Sequence, residues 1–332
     1  MLRAAVELTQ DLAAARGAIY WPDLLASVAL GYGGIAGLIA ADNAWAAAAC
    51  AIVAVLALYR AMAFIHELTH LHRDALPGFR TTWNLLVGIP LLSPSFMYEG
   101  IHTLHHARTR YGTIGDPEYL PLARMHPWTL PLFALSALLV LPFFMIRSGL
   151  LVPLGAAIPP LRQLVWSRMS SLAINPAFRR ARAEGAFARA VAWQEAGATL
   201  WAWALAGSVL AYGWRPLLIA LAVASTAVLL NQIRTLVAHL WENDGGAITV
   251  TAQYLDSANV PPPGVLACLW APVGLRYHAL HHLLPSLPYH ALGEANRRLS
   301  VRFGPGSTYA MASYPGLAPL LGRLVQCTMR RR

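Results

Sequence analysis

Eight of the twelve histidines fall into three short clusters. His66 and His70 sit in His66-Glu67-Leu68-Thr69-His70. His102, His105 and His106 sit in His-Thr-Leu-His-His, and His278, His281 and His282 in His-Ala-Leu-His-His. On a helix, positions i, i+3 and i+4 share a face, so each cluster presents its imidazoles from one side. Three such faces suit zinc, copper, iron or nickel. A zinc site takes four ligands, usually fewer than four of them His. Eight imidazoles are too many for one such ion, and two ions sharing eight or nine fit better. His239, in Arg-Thr-Leu-Val-Ala-His, is the ninth candidate. His72, His126 and His290 have weaker claims, and His290 reads as a supporting or structural residue.

Metal-bound imidazoles usually donate their second N–H to a carboxylate or carbonyl. Glu67, Glu99, Asp116, Glu118, Glu242 and Asp244 lie near the clusters in sequence and are the candidate supports, with Asp74 and Asp256 ranked below them. The bland alternative for each is a solvated acid beside a basic membrane face. The first cluster also matches the zinc-protease pattern, with Glu67 as general base. That reading leaves both triplets without a purpose. It also lacks the Leu-Asp-Gly ligand pattern, because Leu255-Asp256 is followed by Ser257.

The elements that must position these residues are apolar. The chain is 57% hydrophobic and 12% charged, against about a quarter charged in soluble domains, so a bilayer is its main solvent. A span needs about 20 apolar residues. Residues 24–41 and 44–64, separated by Asp42 and Asn43, read as a transmembrane hairpin over 24–64. Residues 85–97 are too short to cross and contain Pro90 and Pro94. Residues 127–166 read as one additional span or a re-entrant pair, broken by Pro153, Pro159 and Pro160. Residues 198–230 read as a second hairpin with Arg215 near its tip. Residues 1–23 read as an interfacial N-terminal helix, not a cleavable signal. Residues 168–189 read as a basic interfacial helix, and residues 231–332 as a cytosolic cap. The expected fold is a single all-α, multi-pass bundle over residues 1–332, with four to six spans and a cap carrying a di-metal site. Every cluster falls at or just after the end of an apolar segment, on one side of the membrane.

The net charge of +10 comes entirely from Arg. These residues sit between apolar runs, as the positive-inside rule requires, which argues against a nucleic-acid partner. Cys50, Cys268 and Cys327 form no C-x-x-C pair, which argues against a disulfide framework or a cysteine zinc site. Gly31, Gly33 and Ala36 loosely match a dinucleotide fingerprint but lie inside a span with no preceding strand; Gly33 and Gly37 read better as points of close helix approach. Histidine clusters outside the spans, with no inverted repeat, argue against a transporter. The basic segment around Arg179 to Arg189 suits an acidic electron donor, an acyl carrier protein or anionic lipid head groups.

The boxes, in this order and separated by hydrophobic hairpins, resemble the membrane fatty acid desaturase and hydroxylase superfamily. So do Arg110-Tyr111-Gly112-Thr113 leading to Asp116-Pro117-Glu118-Tyr119, and His281-His282-Leu283-Leu284-Pro285 leading to Leu287-Pro288, which are similar to bacterial desaturase-like proteins. The resemblance covers residues 24–302. It implies a di-iron centre held by His66, His70, His102, His105, His106, His278, His281 and His282, with His239 as a further ligand and O2 as co-substrate. It also implies a lipid or fatty acyl substrate (free, thioester or lipid-bound) in an apolar tunnel beneath the metals, reacting at the carbon held closest to them. Desaturation is the first expectation and lipid, alkyl or carotenoid-type hydroxylation the second. No flavin, nicotinamide or haem segment is visible, so electrons are expected from a ferredoxin or cytochrome with its reductase. The implied setting is a bacterial inner membrane, with the boxes on the cytoplasmic side. Two departures stand out. Animal acyl-CoA desaturases carry Asn one turn before the residue matching His239, where this chain has Thr235. Its first box has three intervening residues where theirs has four. A substrate therefore does not carry over.

Overall fold

The computed structural model describes residues 1–329 apart from 121, 123, 124, 127 and 265. The elements are helical throughout. Among the described residues there is no strand, only three isolated bridges, one of which joins His239 to Ser257. We label the principal helices α1 (Leu2–Thr9), α2 (Gly17–Ala40), α3 (Ala44–His70), α4 (Ile101–His105), α5 (Thr129–Ala157), α6 (Pro159–Met169), α7 (Gly185–Tyr212), α8 (Trp214–Ala238), α9 (Val250–Leu255), α10 (His278–Leu283), α11 (Leu292–Phe303) and α12 (Leu317–Met329).

Four of them, α2, α3, α5 and α8, are long and apolar enough to cross a bilayer. Their outward faces carry large bare side chains such as Leu132, Leu139 and Leu218, all more than half exposed. Lipid, not water, suits such a surface. The α2–α3 hairpin turns at Asn43, whose side chain accepts from Ala46 N at 2.9 Å and caps α3. Small residues bring the two backbones together. A methyl on Gly34 would stand 2.8 Å from Ala54 N, and one on Gly37 2.8 Å from Cys50 Sγ. The stripe facing α3 is Gly31, Gly34 and Gly37; Gly33, expected from the sequence to be a contact point, has nothing near its Cβ direction.

Both helices of this hairpin outrun their apolar segments. α2 begins at Gly17, because Asp23 takes Arg60 Nε at 2.6 Å and the Tyr20 hydroxyl donates to Glu67. α3 continues unbroken to His70, so His66 and His70 occupy the last turns of a membrane helix instead of following it. The segment read as one span or a re-entrant pair holds α5 and most of the short α6. α5 passes through Arg147 in one wide turn at Arg147–Leu151. The guanidinium is satisfied by Glu195 at 2.5 Å, Met169 O at 2.6 Å and Ser170 Oγ at 2.6 Å, so a buried charge does not end the helix. The segment read as the second hairpin forms the latter half of α7 and most of α8, joined at Gly213 with φ +71°. α7 carries Arg189, Gln194 and Glu195 in its first half and is not among the four apolar helices.

A core of Tyr20, Leu24, Phe64, Phe79, Trp83, Leu141 and Val228 ties α2, α3, α5 and α8 together. A second core packs α1 against α10 and α11 through Ala5, Leu280, Leu292 and Leu299, closed by the Arg298–Asp11 ion pair at 2.6 Å.

Candidate metal centre

Four separate pieces of chain deliver the nine imidazoles. The end of α3 supplies His66 and His70, one turn apart. Gly100, at φ +78°, starts α4, which carries His102 and His105, with His106 as its C-terminal cap residue. The chain leaves α8 in an extended conformation at His239. α10 contributes His278, His281 and His282. Burial is near complete for all but His70 and His106, which are half-buried.

The rings sort into two groups. His66, His70, His102 and His281 each offer a ring nitrogen within 4.8 Å of the others, and so do His105, His239, His278 and His282. His106 joins the first group, its Nε2 lying 3.0 Å from both His102 Nε2 and His281 Nε2. Within the second, His239 Nε2 is 3.2 Å from His105 Nε2 and 3.0 Å from His278 Nε2. Burial holds His102, His106, His239, His278, His281 and His282 well below the ordinary histidine range, and neighbouring imidazoles push them the same way. They are therefore neutral near pH 7, the state in which imidazole ligates metal. His105 differs. Burial is the largest single influence and lowers it, but the carboxylates of Asp116, Glu118 and Asp256 together outweigh burial and leave it above its ordinary value; a metal would displace that proton.

The donor set fits a metal pair. Among the buried ring nitrogens, His66 Nδ1 and Nε2, His70 Nε2 and His278 Nδ1 have no hydrogen-bond partner among the described residues. Buried polar atoms are normally paired, and lone pairs converging at about 3 Å are stabilised by a cation and by little else.

The outward nitrogens are held unevenly. His105 Nδ1 donates to Asp116 Oδ2 at 2.9 Å, and that carboxylate also accepts from Gly112 N and Glu118 N. His102 Nδ1 donates to Glu118 at 2.5 Å, with the Tyr98 hydroxyl at 2.9 Å. His239 Nδ1 donates to the Tyr111 oxygen at 2.9 Å. Tyr111 passes its own proton to Asp256 at 2.7 Å, and Tyr119 donates to the same carboxylate. The Gln253 amide lies 2.9 Å from His282 Nδ1. Burial raises Glu118 to about 7 and Asp256 to about 6.

Of the carboxylates singled out in the sequence, then, Asp116 and Glu118 touch imidazoles. Glu67 accepts from Tyr20 and from Tyr289 N at 3.1 Å and stands 3.8 Å from His66 Nδ1, so it fastens α3 to α2 and to the C-terminal region. Glu99 pairs with Arg73 and Arg80, Glu242 with Arg323, and Asp244 accepts from Gly246 N. Asp256, ranked lower, reaches the site through Tyr111. Asp74 and His72 are exposed 3.6 Å apart. His126 is exposed, and His290 accepts from Arg16 N at 3.3 Å. Tyr98, Tyr111, Gln253 and Ser257 were missed. Tyr98 carried a signal, because it stands four residues before His102. Gln253 carried none.

Beneath the imidazoles lies a cavity of about 130 Å³. His66, His102, His105, His239 and His278 close one end, and Ile65, Trp83, Val87 and Leu91 are among its apolar walls. Glu67 is absent from this lining, so the protease reading has no base facing the cavity. Thr235 lines it, but its hydroxyl donates back to Asn231 O at 2.9 Å.

The family model described as fatty acid desaturase matches residues 42–313. A ceramide hydroxylase from Caulobacter vibrioides (strain NA1000 / CB15N) is 49% identical over 329 residues, covering 98% of this chain and 93% of that protein. No solved structure matches the chain.

Proposed function

From the premise that this chain belongs to the fatty acid desaturase family, we propose that it is a membrane di-iron hydroxylase acting on an amide-linked lipid of the ceramide class. The family makes it a membrane oxidoreductase. The observation that carries the finer reading is the two-group cage of nine imidazoles above an apolar cavity, in a chain half identical to a ceramide hydroxylase. Desaturation, the first expectation from the sequence, gives way to hydroxylation, which was the second. The relative hydroxylates, and the two reactions differ in how substrate sits at the metals, not in the ligand set.

His66, His70, His102, His106 and His281 would hold one iron, and His105, His239, His278 and His282 the other. Iron held there supplies the activation of O2 and the oxidation of the C–H bond. The protein's own part is placement. Asp116, Glu118, Gln253 and the Tyr111–Asp256 pair fix the ring orientations. Ile65, Trp83, Val87 and Leu91 exclude water and hold the chain against the imidazole ceiling. The balance is R–H + O2 + 2 electrons + 2 H⁺ → R–OH + H2O, with electrons from a separate ferredoxin or cytochrome and its reductase. We place the cap that follows α8, from His239 on, and the histidine boxes on the cytoplasmic side of a bacterial inner membrane, where that donor and the arginine-rich segments belong.

Incubating the iron-loaded protein with ceramide, ferredoxin, ferredoxin reductase and ¹⁸O2 tests this. A ceramide heavier by one labelled oxygen is expected. A product lighter by two hydrogens would restore desaturation, and unchanged ceramide beside an oxidised fatty acid would overturn the substrate class.

A further inference from the structure

Arginines inside membrane helices need partners, and Arg60 and Arg147 have them. Arg60 in α3 is paired with Asp23, and Arg147 in α5 with Glu195. Arg234, in the last turns of α8, has no ion pair among the described residues. Its Nη2 donates to Asn231 Oδ1 at 3.0 Å, and it lies beside the Tyr59 hydroxyl, whose proton goes to Trp270 O at 2.8 Å. Its Nε is buried with no hydrogen-bond partner among the described residues. Arg234, Asn231 and Thr235 line the cavity that the imidazoles close. A charged side chain on a membrane-length helix that also lines a cavity is a functional-site candidate, and a buried donor left unmade is costly unless something arrives to accept from it.

We propose that Arg234, steadied by Asn231, anchors a polar oxygen of the substrate, the amide carbonyl or a hydroxyl of a ceramide-type lipid. The C–H bond brought to the imidazoles then lies only a few carbons from the head group. Two dimensions support this. Arg234 precedes Ala238, the last residue of α8, by four residues, about 6 Å along the helix axis, and His239 follows directly. A single water needs about 10–15 Å³ on the scale of this cavity, so 130 Å³ has room for roughly ten such groups, well short of a full lipid tail. The tail runs out along the apolar walls toward the bilayer while the head-group end stays inside. This inference rests on the ceramide-class reading for the identity of the oxygen, but not for its position.

The test uses the full-length, iron-loaded protein in nanodiscs. Binding of a short-chain ceramide and of an alkane of equal carbon count is measured by calorimetry for wild type, Arg234→Gln and Arg234→Lys, and the wild-type product is mapped by tandem mass spectrometry. Arg234→Gln is expected to weaken ceramide binding by about tenfold or more, the scale of one charge-assisted hydrogen bond, with alkane binding changed less than about twofold. The new hydroxyl is expected on the head-group side of the chain's midpoint. Arg234→Lys keeps the charge but loses the planar fork, so an intermediate loss is expected, and this variant decides the matter should the glutamine form not fold. Equal losses for both ligands, no loss in either variant, or a hydroxyl beyond the midpoint would overturn the anchor. Should wild type not bind ceramide, a fatty acid of equal carbon count is titrated in its place; binding that Arg234→Gln abolishes keeps the anchor and overturns the ceramide assignment.

Discussion

The two imidazole groups are built differently. His105, His239, His278 and His282 are all buried, and three of the four are braced from behind, by Asp116, by Tyr111 over Asp256, and by Gln253. In the other group only His102 has a carboxylate within hydrogen-bond distance behind it, and His70 and His106 are half-buried. The braced group is preorganised by hydrogen bonds. The open group relies on the helical spacing of α3 and α4. The metal in the braced group should therefore be the tighter and the slower to leave, and the open group should face the donor and oxygen.

The strongest way to break this contrast is to remove one ligand from each group. His105→Ala should cost bound metal from the braced group and take activity to background, while His70→Ala should lose metal more readily reversed by added ferrous iron. Metal analysis before and after reconstitution separates them, and equal reversibility would erase the contrast. A finer cut compares two carboxylates that looked alike in the sequence. Asp116→Asn should weaken metal binding by about 10–100-fold in chelator competition. Glu67→Gln should leave metal affinity nearly unchanged and lower thermal stability instead, since Glu67 binds Tyr20 and Tyr289. The smallest effect on the site is expected from Gly34→Ala, whose methyl meets Ala54 at 2.8 Å. It should destabilise the hairpin by about 1–3 kcal/mol, the usual cost of overpacking, while activity per folded molecule stays the same.

The histidine clusters were legible because i, i+3 and i+4 spacing is local: a helix turns His102, His105 and His106 to one face whatever surrounds it. The all-α bundle was legible for a similar reason, as four long apolar helices need no partner to be seen. What could not be read was the direction of each polar side chain. Asp116 and Glu118 lie beside a box and also touch it. Glu99, Glu242 and Asp244 lie as close in sequence but turn to arginines or to a backbone amide. The Tyr111–Asp256 and Gln253–His282 contacts join residues 145 and 29 positions apart, and only the folded chain shows them. Helix ends were misplaced where a charge found a partner, at Asp23–Arg60 and Arg147–Glu195, because hydropathy counts a charge as unpaired.

Metal content of the purified full-length protein tests the central claim most directly. Two histidine cages predict about two irons per chain, falling to about one when a single braced ligand such as His282 is replaced by Ala. One zinc per chain, unchanged by that replacement, would contradict the account and leave the first box as a metal site of its own.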